Sequence, residues 1–388
     1  MYKILIVFLM VVSMYSNSQE IRIATFNVSM DGTNYVEHGQ VPKGDELQKN
    51  LRRGEHQQIK NIAEIIQRIR PDVILLNEFD YSSQSASDVQ NFLKHYLKVS
   101  QHNNKLIDYP YSYSAAVNTG VDSGLDLDKD GIASGTKGDA FGFGFYPGHY
   151  GMLVLSQFPI QLEKIRTFQR FLWKDMPNNL LTTIKGETGE SYYSHEAQQI
   201  LRLSSKSHWD IPIKMANETI HLLASHPTPP VFDGPENRNG KRNHDEIRFW
   251  NDYLSGSAHS AYIYDDNGKS GGFNGEHFVI AGDLNASPDE GDGMNSSIKG
   301  LLENPLVNHT FVPKSAAGKL HTPDNQHSAQ HTAEWAMRAD YVLPSTSLEV
   351  KASGVFWPKP NDPLFRLIKD RKSSSDHRLV WVDITVTK

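Results

Sequence analysis

The chain has 388 residues, 38% of them apolar, a net charge of −6 and a pI near 6.3. That balance, with a mean hydropathy of −0.50, suits a soluble globular protein with long polar loops and argues against a dedicated polyanion binder, although a local basic groove stays compatible with it. There is no cysteine, which excludes a disulfide framework, a thiolate zinc site and a lipid-modified N-terminal Cys.

Lys3 opens the chain, and residues 4–14 form an apolar run too short to span a bilayer comfortably. Ser16 and Ser18 then supply the small residues of a cleavage site before Gln19. Residues 1–18 therefore read as a signal peptide, so the protein is expected to be exported, either secreted or periplasmic. A buried first strand is the competing reading of 4–14, but residues 21–26 make a better one. No later apolar stretch reads as a membrane span.

Residues 31–54 are polar and rich in turn formers. Residues 55–70 carry Ile59, Ile62, Ala63, Ile65, Ile66 and Ile69 at helical spacing, and Pro71 closes the helix. Residues 72–78 follow as a continuous apolar strand, buried on both sides and tipped by Glu78. This strand–helix–strand opening indicates an α/β protein. A further helix is expected over 88–99, strands over 151–156 and 219–226, a loop over 232–243, and a helix over 245–254. Residues 191–213 read as strand-forming sequence around a surface loop. Strands follow over 277–283, 338–343 and 379–386. No composition shift divides the chain, so 19–388 reads as one domain with long insertions.

Several of these apolar runs end on a polar group able to act in catalysis. In Gly282-Asp283-Leu284-Asn285 the glycine permits a sharp exit from a strand, and Asp283 and Asn285 share a side of extended backbone. A carboxylate there can take a proton from a water while the amide orients a phosphate oxygen. An Asx-rich turn would have the same composition. Asp340 is an acid inside an apolar strand, which needs a partner, and His377 in Ser375-Asp376-His377 is the candidate. Asp376 can ligate or polarise, and His377 can donate to phosphate. Glu78 reads as a metal ligand, with a surface ion pair as the alternative. Asn27 ends the first strand, and His226 precedes Pro227, which stiffens the chain where it leaves its strand. Hard divalent cations prefer oxygen ligands, and the set suggests metal-assisted cleavage of a phosphate ester.

With Thr25-Phe26-Asn27, Leu76-Asn77-Glu78, Ser225-His226, Gly282-Asp283-Leu284-Asn285, Ala339-Asp340-Tyr341 and Ser375-Asp376-His377 in this order, the sequence resembles the endonuclease/exonuclease/phosphatase superfamily. The resemblance implies a four-layer α-β-β-α sandwich of two mixed, mostly antiparallel sheets flanked by helices. It implies Mg²⁺ or Mn²⁺ on Glu78, with Asp376 and Asn27 nearby. It implies that Asp283 aligns or deprotonates the attacking water and that Asn285 holds phosphate. His377, paired with Asp340, would stabilise the transition state, and His226 would assist the leaving group. Some relatives carry an acid two residues after the first Asn; here that position is Ser29, with Asp31 two further on, which puts a second metal position in doubt.

Asp126, Asp128 and Asp130 ahead of Gly131 have the alternation of a Ca²⁺ loop, with Asp139 as a later acid; Lys137 replaces the Glu of an EF-hand, so this reads not as an EF-hand but as a loop stapled by a structural calcium beside the site, with a plain acidic surface turn as the alternative. Arg238, Arg242 and Asn243 make a basic loop after His226 that can grip substrate phosphate, or simply a solvated loop. The aromatic and basic stretches 170–177 and 206–210 can stack on a ring, with rim packing the plainer reading. The expected partner is a phosphoester substrate, either a small nutrient-type ester or, as the alternative, extracellular DNA or RNA, which the net charge does not favour. A calcium-dependent adhesion module with a dead site is a third option, opposed by the full set of catalytic residue types.

Overall fold

Two sheets carry the molecule. In the computed structural model, which describes residues 20–215 and 218–386, one sheet has the strand order β10–β11–β1–β2–β4–β3 and the other β5–β6–β7–β8–β9. The first contains β1 (Glu20–Met30), β2 (Val73–Phe79), β3 (Tyr111–Tyr113), β4 (Met152–Ser156), β10 (Leu348–Val355) and β11 (Val380–Val386). The second contains β5 (Arg166–Thr167), β6 (His208–Met215), β7 (Glu218–Ser225), β8 (His277–Asp283) and β9 (Asp340–Pro344). Only the β1–β2 and β7–β8 pairs are parallel; the other pairs are antiparallel. The expected signal peptide, 1–18, lies outside the described residues.

The sheets pack face to face through β1 and β2 against β8 and β9. Side-chain alternation decides what each strand gives to that seam. On β8, Val279 and Ala281 join the core shared with the first sheet, while Phe278 and Ile280 pack towards the helices of the other side. On β7 the seam residues are Ile220, Leu222 and Ala224, and on β9 Val342. Continued by two residues, the same parities put His226, Asp283 and Asp340 on the seam side, at one end of three adjacent strands.

Helices cover the outer faces. α1 (Glu46–Arg53) and α2 (Gln57–Ile69) lie on the first sheet, with α3 (Ser85–Phe92) continuing into a π-type turn at Leu93–Leu97. α2 buries the isoleucine face expected from its spacing. The short α4 (His195–Ile200) and the long α5 (Arg238–Leu254) cover the second sheet. This is the expected α-β-β-α sandwich.

The differences from the sequence reading are local. α1 lies within the expected turn-rich segment, where Leu47 and Leu51 are buried one turn apart and Gly54 ends the helix at φ +69°. α5 starts seven residues before the expected helix, because the backbone amide of Asn239 is capped by Asp233 at 2.6 Å and the first turns are tied down by tertiary bonds. Residues 191–213 include α4, whose start is capped by Ser194 accepting from the Ala197 amide.

Candidate active site

Asp283 is the hub of the site. Its Oδ2 accepts from Asn27 Nδ2 at 3.1 Å and lies 3.4 Å from His226 Nε2 and 3.5 Å from His377 Nε2. Four separate stretches of chain thus meet on one buried oxygen. Gly282 makes this approach feasible: a Cβ there would stand 2.0 Å from the Ser225 carbonyl oxygen. Asn77 locks the strand ends together, accepting from the Asp283 amide at 3.2 Å and donating to Ser225 O at 3.3 Å.

The electrostatics separate the two histidines. Burial disfavours a charged His377, but the carboxylates of Asp340 and Asp283 outweigh it and push the imidazole up to about 10. His377 Nδ1 donates to Asp340 Oδ2 at 2.9 Å, and the same oxygen accepts from Thr332 Oγ1 at 2.7 Å. His377 is therefore an imidazolium at neutral pH. Burial, reinforced by Lys206, pushes His226 down to about 4, so it is a neutral hydrogen-bonding group. Burial alone would raise Asp283, yet His377, His226 and Asn27 hold it well below the usual carboxylate range. It is better suited to orienting a water than to abstracting a proton strongly.

A second cluster lies beside the first. Glu78, Asp31 and Asp376 converge on the guanidinium of Arg371: Nη2 is 3.3 Å from Asp31 Oδ2 and from Glu78 Oε2, and Nη1 is 3.2 Å from Asp376 Oδ2. Burial pushes Glu78 up to about 7, against the pull of Arg371 and with the repulsion of Asp31 and Asp376. Glu78 would point away from the seam by strand parity; its left-handed backbone, φ +57°, redirects it. Ser29, Tyr150 and Asn285 also have positive φ. The carboxylate set offers the hard oxygen donors that Mg²⁺ or Mn²⁺ takes. Asp283, Asp340 and His377 also place ligand atoms within 4.8 Å of one another, but His377 is already engaged as a donor there.

Of the expected residues, Asn27, Glu78, His226, Asp283, Asn285, Asp340, Asp376 and His377 all come to this end of the seam. Asn27 directs its amide nitrogen at Asp283, and its oxygen accepts from the Ser29 amide at 3.2 Å. Asn285 Nδ2 donates to Pro227 O at 3.2 Å, tying the β8 exit to the loop after His226.

The basic-loop reading needs correction. Arg242 gives its donors to the Leu203, Phe141 and Arg202 carbonyls, and Asn243 donates to Thr228 O and Leu284 O. They are struts that brace the loops around the site. Arg238 pairs with Glu236. In the acidic loop, Asp126, Asp128 and Asp130 are exposed and lie close together. Asp139 is set apart from them, since both its oxygens are spent on the amides of Leu127, Asp128 and Ser134 and on the Ser134 hydroxyl.

Sequence reasoning missed the roles of four contributors. Arg371 sits in a polar turn with no periodicity to mark it. Asp31 was noted only as a displaced acid; it is fully buried and faces His149 at 3.4 Å. Lys206 is 5% exposed, and its ammonium makes no hydrogen bond among the described residues, yet it feels Glu246, Glu78 and Asp283. Glu246 on α5 accepts from the amides of Ser205 at 2.7 Å and Thr228 at 2.6 Å, clamping the loops that carry Lys206 and follow His226.

Among curated proteins no sequence match is found. Solved structures do align. The crystal structure of an endonuclease/exonuclease/phosphatase from Beutenbergia cavernae is 17% identical, with a TM-score of 0.51 over 95% of this chain and 72% of that one. The human Nocturnin catalytic domain is 14% identical (TM-score 0.45, 95% of each chain). A Staphylococcus aureus beta toxin mutant with bound magnesium ions is also 14% identical (TM-score 0.42, 94% of this chain and 99% of that one). The model of the Endonuclease/Exonuclease/phosphatase family matches residues 24–377, from the strand that carries Asn27 through His377. The chain belongs to that family and is a metal-dependent hydrolase of phosphoesters or nucleic acids.

Proposed function

We propose that this protein is exported, with 1–18 as its signal peptide and 19–388 as a single catalytic domain, and that it hydrolyses small phosphoric esters by direct attack of water. The resident ion in this reading is Mg²⁺ or Mn²⁺, held by Glu78, Asp376 and Asp31 with Asn27 alongside. When bound, such an ion supplies an acidified water and neutralises charge building up on the phosphoryl group. The protein does the rest. Asp283 accepts from the attacking water and orients it. His377, kept charged by Asp340, donates to a phosphoryl oxygen, and the Asn285 amide donates to another. Neutral His226 turns Nε2 to Asp283 and holds that carboxylate in place, while the proton lost by the attacking water and the one gained by the leaving oxygen are exchanged with solvent. Direct hydrolysis fits a chain with no cysteine to act as a nucleophile.

The observation that carries this reading is the convergence of Asn27, His226 and His377 on one Asp283 oxygen. Two features favour a small ester over a nucleic acid. The insertions form a laced wall beside the site: Arg202 donates to Asn118, Asn118 to Gln169 O and Ser204 O, and Arg242 to Phe141 O. Trp335, 48% exposed, stands edge-on to His377 at 4.8 Å, which suits an organic leaving group at the rim.

The test is a panel of bis-p-nitrophenyl phosphate, p-nitrophenyl phosphate, duplex DNA and RNA with Mg²⁺ or Mn²⁺. Small esters should turn over with higher kcat/KM than either polymer. Faster cleavage of DNA or RNA sinks the small-ester reading in favour of a nuclease. Export is checked separately by sequencing the N-terminus of protein recovered outside the cytoplasm, which should begin at Gln19.

A further inference from the structure

Arg371 holds three carboxylates from three distant parts of the chain: Asp31 after β1, Glu78 at the end of β2 and Asp376 ahead of β11. It holds each of them loosely. The contacts are 3.2–3.3 Å, where charge-assisted N–H···O bonds settle near ~2.7–2.9 Å. None is bidentate, so the planar fork that makes arginine a strong carboxylate partner goes unused.

The setting lets the side chain leave. Arg371 is 42% exposed, whereas Asp31 is fully buried and Glu78 and Asp376 are 16% and 24% exposed. Its turn is anchored just downstream, where Gln58 and Asn61 of α2 donate to the Ser374 and Ser373 carbonyls at 2.7 Å. Ser373 is further held by its amide and hydroxyl on Asp370. The guanidinium is thus at the free tip of a fixed turn. A divalent ion brings twice the charge and binds oxygen at ~2.0–2.1 Å, closer than any N–H can approach.

We propose that Arg371 is an internal stand-in for the metal ion: it neutralises the Asp31–Glu78–Asp376 cluster before the ion arrives and must be displaced for the ion to enter. It therefore keeps the cluster folded and sets how tightly metal binds. This rests on those three carboxylates being the ion's ligands.

The experiment measures Mn²⁺ binding to the full chain, without substrate, by titration calorimetry and by the electron paramagnetic resonance signal of free Mn²⁺. Thermal unfolding after chelator treatment is the second readout. Arg371→Gln should bind Mn²⁺ roughly tenfold more tightly than the parent, since a competing cation is gone, and should melt at a lower temperature when stripped of metal. Arg371→Lys keeps the charge without the fork, so it folds like the parent and should bind more tightly by a smaller factor. Equal or weaker Mn²⁺ binding by both variants, with binding to the parent intact, overturns the proposal alone. Absence of Mn²⁺ binding in all three proteins overturns the ligand assignment and the proposal with it.

Discussion

His377 Nδ1 donates to Asp340 Oδ2 across 2.9 Å, in a site where both side chains are almost fully buried. The proton on His377 is held by that contact and by the nearby Asp283 carboxylate, so the imidazole titrates far above its ordinary value. Catalysis and stability both inherit this.

The stability consequence has a definite sign. His377 titrates at 6.5 when unperturbed and at about 10 in the folded protein. Between those values the native state binds more protons than the unfolded one, so stability falls as pH rises through that window. Asp340→Asn should flatten this slope. Urea unfolding of chelator-treated protein at pH 7, 8 and 9 checks it: the parent should lose more stability across the series than the variant. The alkaline limb of kcat should also move to lower pH in Asp340→Asn.

Glu246 makes no hydrogen bond to Asp283 or His377 among the described residues, yet it holds the loop that carries Lys206 and the loop that follows His226. Glu246→Ala leaves the buried amides of Ser205 and Thr228 without acceptors, a loss on the order of 3 kcal/mol. Urea unfolding should show that loss, and kcat should fall with it because the neighbouring loops carry Lys206 and His226. A variant as stable as the parent would contradict the clamp.

Gly282 lets the β8 backbone approach Ser225 closely. Gly282→Ala would put a methyl 2.0 Å from a backbone oxygen, at φ +151°, and neither partner can move without disturbing a strand end. The expected cost is roughly 3 kcal/mol, read as a fall in melting temperature. Activity should drop further than stability, since Asp283 is the next residue.

Lys206 makes the opposite prediction for stability. Burial holds its ammonium below the ordinary range, partly offset by Glu246, Glu78 and Asp283, and it gains no hydrogen bond among the described residues. Lys206→Met keeps the volume and removes the buried charge, so the melting temperature should rise. Its positive field towards the phosphate is lost at the same time, and kcat/KM should fall roughly 10- to 100-fold. A variant both less stable and fully active would refute this assignment.

The layers and most site residues were legible because burial writes itself into sequence. β8 was bounded residue for residue, since an uninterrupted apolar run ending in Gly-Asp has few other homes. The isoleucine face of α2 was equally plain. Asp283 and His377 stood out as polar groups at the ends of such runs. What failed lacks that signature. The first turns of α5 are Asn, Gly and Arg, helical because of Asp233 and of distant carbonyls that no local pattern shows. Arg242 and Asn243 resemble a phosphate grip in sequence and are braces in space. Arg371 lies in a turn, and its importance comes from three acids 5, 293 and 340 residues away.

The central claim is that Asp283, gathered by Asn27, His226 and His377, orients the water that hydrolyses a phosphoric ester. The most direct measurement is the Mn²⁺-supported hydrolysis rate of bis-p-nitrophenyl phosphate by Asp283→Asn, which keeps the shape of the side chain and removes its charge. The account predicts a kcat lower by about 10³-fold or more in a protein that still binds Mn²⁺. A rate equal to that of the parent would contradict it.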